Sequence, residues 1–171
     1  ELSIHGGSLR IYLKHTENQK IEIVPKVNNL IKKEIGAGLD LVSTYETFSK
    51  RVTESKLKIW DFFITAKQNN KKIVGYGAPA KGNTMLNYLG MNSKIIFAVA
   101  DNSETKVNHY TPGSNIKIIP DKNFLKTKCK YALLLAWNYA DFFLKNSKFI
   151  KNKGKFILPL PKPKIIPNEK N

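Results

Sequence analysis

The sequence is short of the residues that most often announce a chemistry. One cysteine, Cys129, excludes an internal disulfide and a cysteine-rich zinc cluster within these 171 residues. The histidines, His5, His15 and His109, are scattered without metal-site spacing, so no metal ligands are assigned. No apolar run approaches the roughly 20 residues of a membrane span, so no membrane partner is expected and a cytoplasmic location is. Arginine is nearly missing: of 29 basic residues only Arg10 and Arg51 carry the guanidinium fork. Surfaces that read bases or clamp phosphates usually recruit that fork. The formal charge of +16, spread along the chain on lysine, therefore reads as a lysine-biased surface with a general pull on anions. A nucleic-acid module is the weaker reading.

The chain opens on Glu1 instead of Met, and it is expected to be a piece of a longer protein. Leu9, Ile11 and Leu13 alternate with Arg10, Tyr12 and Lys14, the pattern of a strand. With no partner nearby in sequence, it reads as the last strand of a preceding domain. Val27, Leu30, Ile31 and Ile35 give a helix over 26–35, stopped by Gly36 and Gly38. A second helix is expected from near Asp40 to about Lys67, with Ser43 and Glu46 as a capping box. At 1.5 Å per residue it spans about 40 Å, which suits a connector.

From Lys71 onward the pattern changes. Continuous apolar runs at 72–77, 95–101, 116–120, 131–137 and 155–160 alternate with helical segments at 79–89, 121–126 and 138–150. Runs of this kind fit strands covered on both faces, hence a parallel sheet with crossover helices. The fold class predicted is α/β: a Rossmann-like, mostly parallel five-stranded sheet with flanking helices, preceded by a strand and a long connector helix. Residues 1–20 would be the tail of a missing domain, 21–70 the connector, 71–160 the Rossmann-like domain and 161–171 an extended tail.

The first strand runs into "GYGAPAKGN", residues 75–83. Gly75, Gly77 and Gly82 are spaced G-x-G-x-x-x-x-G, which is neither the dinucleotide fingerprint nor a Walker loop. The physics of anion binding survives the mismatch. Gly77 allows a tight turn, Pro79 suits the first helical position, and free N–H groups at a helix start favour an anion. Ala78 lies in that turn, Lys81 adds a full charge and Asn83 an amide. Gly82 inside a helix costs about 1 kcal/mol relative to alanine, and close backbone or ligand approach would account for it. The plain alternative is a glycine-rich turn that packs tightly and binds nothing. Asp101 ends the second strand where Rossmann folds place an acid for ribose hydroxyls; with Asn102 it could equally cap a turn. Gly113, in a Thr-Pro-Gly-Ser turn, and Trp137-Asn138, after the fourth strand, complete four loops that could converge on one crevice. A core tryptophan with a capping asparagine is the alternative there.

In order and spacing, "HGGSLRIY", "GYGAPAKGNTMLNYLG", "VAD…TPGSNIKI" and "LLLAWN" resemble the carboxyl-terminal part of S-adenosylmethionine-dependent C-methyltransferases. Sugar 3-C-methyltransferases acting on nucleotide-linked deoxysugars are the best-known members. The resemblance implies a substrate-binding domain that holds a nucleotide sugar, an anionic small molecule. It also implies S-adenosylmethionine on a missing central domain and zinc in a missing amino-terminal one. Pro79 departs from the small residue expected there and removes one N–H. No catalytic residue carries over; His5 and Arg10 lie nearest the expected active site without an assigned role. A dinucleotide-binding oxidoreductase module and a non-catalytic interaction domain are the rival readings.

Overall fold

In the computed structural model residues 1–4 and 7–167 are described; His5 and residues 168–171 of the expected tail lie outside them. The chain divides into two compact units, with the boundary between Thr53 and Glu54.

The first unit is built on α1 (Pro25–Gly36) and the start of α2 (Val42–Gln68). Pro25 opens α1 with its backbone angle already set and no N–H to waste. Its end forms at the glycines, as the sequence predicts. Gly38 takes a φ of +71°, and the N–H groups of Gly38 and Leu39 bond back to the carbonyls of Ile35 and Glu34. α2 starts at Val42, later than Asp40, because the N–H of Thr44 already bonds to the Leu41 carbonyl. Ser43 therefore sits inside the first turn, where its carbonyl accepts the Thr47 hydroxyl at 2.9 Å, and the expected Ser43–Glu46 cap is displaced. The strand expected at 8–14 does not form. Only Ser8 pairs, in an isolated antiparallel bridge with Leu2. Alternation marks which side chains share a face, but a strand needs a neighbour for its N–H and C=O groups, and these residues have none here. No described residue of this unit is buried.

The second unit carries the sheet. Its elements are β1 (Ile73–Tyr76), α3 (Ala80–Leu89), β2 (Val99–Asp101), β3 (Ile118–Pro120), α4 (Asp121–Phe124), β4 (Tyr131–Leu134), α5 (Ala140–Asn146), α6 (Lys148–Lys151), β5 (Lys155–Leu158) and β6 (Lys164–Ile166). The strand order is β3-β2-β1-β4-β5-β6, parallel except for β6, which runs antiparallel to β5. The fold is thus the mostly parallel Rossmann-like α/β sheet that was predicted, with six strands instead of five. The extra strand lies in the expected tail, where prolines mask a short pairing of Ile165 and Ile166 with Ile157 and Phe156.

Both faces are covered, which is why the strand sequences read as continuous apolar runs. Ile73, Leu133, Leu135 and Ile157 pack with Ile59 and Phe63 of α2 and Leu86 and Leu89 of α3. Val74, Tyr76, Leu134 and Phe156 face the other way, onto Phe124 of α4 and Phe149 of α6. Tyr76 meets Phe124, Phe143 and Phe156 edge-on at 5.1–5.2 Å between ring centres, a geometry that favours aromatic pairs. Burial pushes its hydroxyl up to about 12, against a hydrogen bond to Ser147 that pulls down, so Tyr76 stays protonated in the core.

The helix-interior glycine has a packing cause. A Cβ on Gly82 would lie 2.7 Å from the Leu135 Cβ and 3.2 Å from the Leu135 carbonyl oxygen. Leu135 is fully buried, so neither atom can give way cheaply. Gly82→Ala gains helix propensity of about 1 kcal/mol but forces α3 off the sheet. A net loss of about 1–3 kcal/mol is expected, read as a lower urea midpoint, as for other overpacked cores. A midpoint at or above that of the parent would show that the approach is loose.

Candidate functional site

The carboxyl ends of β1, β2 and β4 lie side by side, and the loops that leave them set the site. Gly77 has a φ of +79°, which turns the chain sharply out of β1, and a Cβ there would come within 3.1 Å of the Ala136 Cβ. The first turn of α3 is thereby pressed against the chain that leaves β4. Pro79 is the N-cap, one position before the predicted one, and it offers no side-chain cap. The first intrahelical bond is donated by the Asn83 N–H to the Pro79 carbonyl. The N–H groups of Ala80, Lys81 and Gly82 therefore have no acceptor within the helix.

Lys81 lies on this turn, its ammonium 4.8 Å from the centre of the Trp137 ring. The face of an indole attracts a cation, and the contact ties α3 to the end of β4. No carboxylate pairs with Lys81 among the described residues. Desolvation lowers its pKa from the ordinary lysine value of 10.5. On the same two segments, the side-chain oxygens of Asn83 and Asn138 are buried without a hydrogen-bond partner. Such groups cost free energy until something meets them.

Asp101 has a different place from the one expected for a free ribose-binding acid. One carboxylate oxygen accepts the Ala78 N–H at 2.7 Å and the other accepts the Ser103 N–H at 2.8 Å. Lys106 stands 3.8 Å away as its counter-charge. Asp101 thus fastens the β1–α3 loop to the end of β2. Together with Pro79, this removes two N–H groups from the predicted anion-binding ring and leaves those of residues 80–82. Asn102 is exposed. With Asp101, Glu104, Asn108 and Asp121 it lines a hollow of about 410 Å³ beyond β2 and β3, to which the 77–83 loop does not contribute.

Gly113 belongs to neither place. Its turn has a φ of +75° and packs directly on Asn87, whose amide donates to the Pro112 and Asn83 carbonyls at 3.0 and 2.9 Å. Buried Thr111 and Ser114 share a 2.6 Å hydrogen bond beneath it. The structure therefore gathers Gly77, Ala78, Lys81, Gly82, Asn83, Trp137 and Asn138 about the start of α3, with Asp101 as their brace. Asn102 and Gly113 lie apart from them. Sequence reasoning missed Asn87, Ser103 and Lys106. Only Lys106, a cation a few residues beyond an acid, left any trace to find. Arg10 is exposed in the first unit, and His5 lies outside the described residues.

Among the described residues no three His, Cys, Asp or Glu side chains could hold a metal, so the implied zinc has no site on them. No helix of theirs is long and apolar enough to cross a membrane.

A family model described as the C-methyltransferase C-terminal domain matches residues 3–161. The chain is 32% identical over 167 residues to C-methyltransferase NovU of Streptomyces niveus. That match takes in 97% of this chain and 40% of the relative, so the chain spans less than half of that protein's length.

Asp101→Ala strands two backbone N–H groups and should cost about 1–3 kcal/mol in urea unfolding, with faster hydrogen exchange at Ala78. Asp101→Asn, which retains one acceptor, should fall between the two. Equal stability in all three proteins would mean that the loop does not depend on this brace.

Proposed function

From the premise that the chain belongs to the C-methyltransferase C-terminal domain family, we propose that it is the substrate-holding part of a S-adenosylmethionine-dependent C-methyltransferase. It grips the diphosphate of a nucleotide-linked sugar at the start of α3. The observation that supports this reading is the Lys81 ammonium: partly desolvated, without a carboxylate among the described residues, and carried on the helix turn that holds three unclaimed N–H groups. A phosphate there gains the helix dipole, those donors and a full charge at once. Asn83 and Asn138, whose side-chain oxygens lack a partner and whose amides can turn to donate or accept, would meet a phosphate oxygen or a sugar hydroxyl. Fixing the anionic end orients the distant sugar carbon, so binding energy remote from the reaction lowers its barrier.

The methyl donor supplies the transferred methyl group, and its site belongs to the remainder of the protein. Asp101, the acid that a ribose would need, is already taken up by Ala78, Ser103 and Lys106. The same bonds count against a dinucleotide-binding oxidoreductase. Residues 1–53 expose many large apolar side chains, among them Ile11, Leu13, Ile23, Val42 and Phe48. We read these as the surface on which the preceding methyl-donor domain folds, with the long α2 as the connector.

Titrating the intact protein with a nucleoside diphosphate tests the site. Lys81→Ala with Asn83→Ala should weaken binding on the order of tenfold or more, as for a lost charge-assisted hydrogen bond. Unchanged affinity would remove the loop from the account.

A pH series gives a second test. Burial disfavours the charged form of Lys81, so its contribution to stability rises as pH climbs from the lowered pKa toward 10.5. An anion needs that charge, so affinity should fall over the same range. Lys81→Arg, which stays protonated, should flatten the fall. A flat profile in the parent protein would dissociate Lys81 from binding.

A further inference from the structure

The opposite edge of the sheet, at the amino ends of β4 and β5, holds a second hollow of about 540 Å³. Four lysines line it, Lys128, Lys130, Lys153 and Lys155, and no acidic residue does. Its floor includes Phe149, against whose ring buried Gly154 packs so closely that no Cβ would fit. Lys128 and Lys153 both have left-handed backbones, with φ of 53° and 62°. Among the described residues the other non-glycine positions with positive φ, Asn70, Asn108 and Asn115, are all asparagine, which tolerates that region. The two lysines that adopt it stand on separate turns, and both line this hollow. A turn shaped for its own stability would use glycine or asparagine here. The ammonium groups of Lys128, Lys130 and Lys153 have no carboxylate partner among the described residues.

We propose that this hollow binds the pyrophosphate group of a small molecule. Several cations brought from two turns to one concavity match an anion that carries more than one phosphate. Lysine serves phosphate as a point charge and needs no fork. The hollow lies between two turns and has the volume of a small-molecule site. A nucleic-acid strand would ask for a continuing track. The inference does not rest on the Lys81 site, which lies at the other end of the strands.

The test is calorimetric titration of the intact protein with inorganic pyrophosphate, and with a nucleoside diphosphate in a parallel arm. Lys128→Gly with Lys153→Gly removes two charges and relieves both strained turns, so the variant should melt at or above the parent temperature. Its pyrophosphate affinity should nevertheless fall at least about tenfold, as when charge-assisted contacts are lost. Lys58→Gln with Lys122→Gln, exposed lysines of α2 and α4 that do not line the hollow, removes the same charge and should change affinity less than about twofold, as screened surface charges do. Pyrophosphate should also slow the reaction of Cys129, the one thiol and part of the lining, with Ellman's reagent. Tighter binding of the nucleoside diphosphate, retained with Lys81→Ala and Asn83→Ala, would identify a nucleotide as the source; equal binding would identify pyrophosphate itself. Equal losses in the glycine and glutamine variants, no protection of Cys129, or loss of the signal with Lys81→Ala and Asn83→Ala would each overturn the proposal.

Discussion

The carboxyl edge of the sheet depends on one close approach: the first turn of α3 resting on the end of β4 with no side chain between them. Gly82 against Leu135 and Gly77 against Ala136 are the two contacts that permit it. Gly75 makes room below them, since a Cβ there would lie 2.9 Å from a Val99 methyl carbon. Move the helix out by the thickness of a methyl group and several things change together. Trp137 no longer lies under the Lys81 ammonium, the orphaned asparagine oxygens open to water, and the three free N–H groups point elsewhere. Packing in the core thus fixes the electrostatics at the rim.

The distribution of charge at that rim is uneven. Asp101 is satisfied locally by two N–H groups and by Lys106. Lys81, a short distance along the same loop, has among the described residues only the face of an indole. A carboxylate tied into backbone bonds stiffens the loop without cancelling the neighbouring cation. The loop can therefore be rigid and still present net positive charge, which suits it to an anion and spares it from ordering on binding.

The parallel strands were legible because both faces of the sheet are buried, so each strand left an uninterrupted apolar run. The family resemblance, which rested on the 75–83 loop and three further motifs, is matched by the family to which the chain belongs. What the sequence hid were partners distant along the chain. Asp101 looked like a ligand group because nothing in its own neighbourhood shows that Ala78 will donate to it. Gly113 was recognised as a turn, but its contact with Asn87 exists only once α3 is in place. Residues 164–166 were hidden by the prolines around them, and residues 8–14 misled because alternation records a face without supplying a neighbour. For Gly82 both backbone and ligand approach were open, and Leu135 decides for the backbone.

The borders of the sheet have their own consequence. Outside β3 the chain doubles back, with Asn108 donating to the Ile118 carbonyl, Ile118 donating to that of His109, and Tyr110 bridging to Lys117. Outside β5 lies β6, three residues long with Pro163 before it and Pro167 after it. A foreign strand seeking to extend the ladder meets a closed margin on one side and a stub bounded by missing donors on the other. Growth by strand addition, the usual road from an open sheet to a fibril or a shared sheet, is thereby discouraged. Neighbours must come to the helical flanks or the strand tips, where their contacts are made by side chains and can be selective.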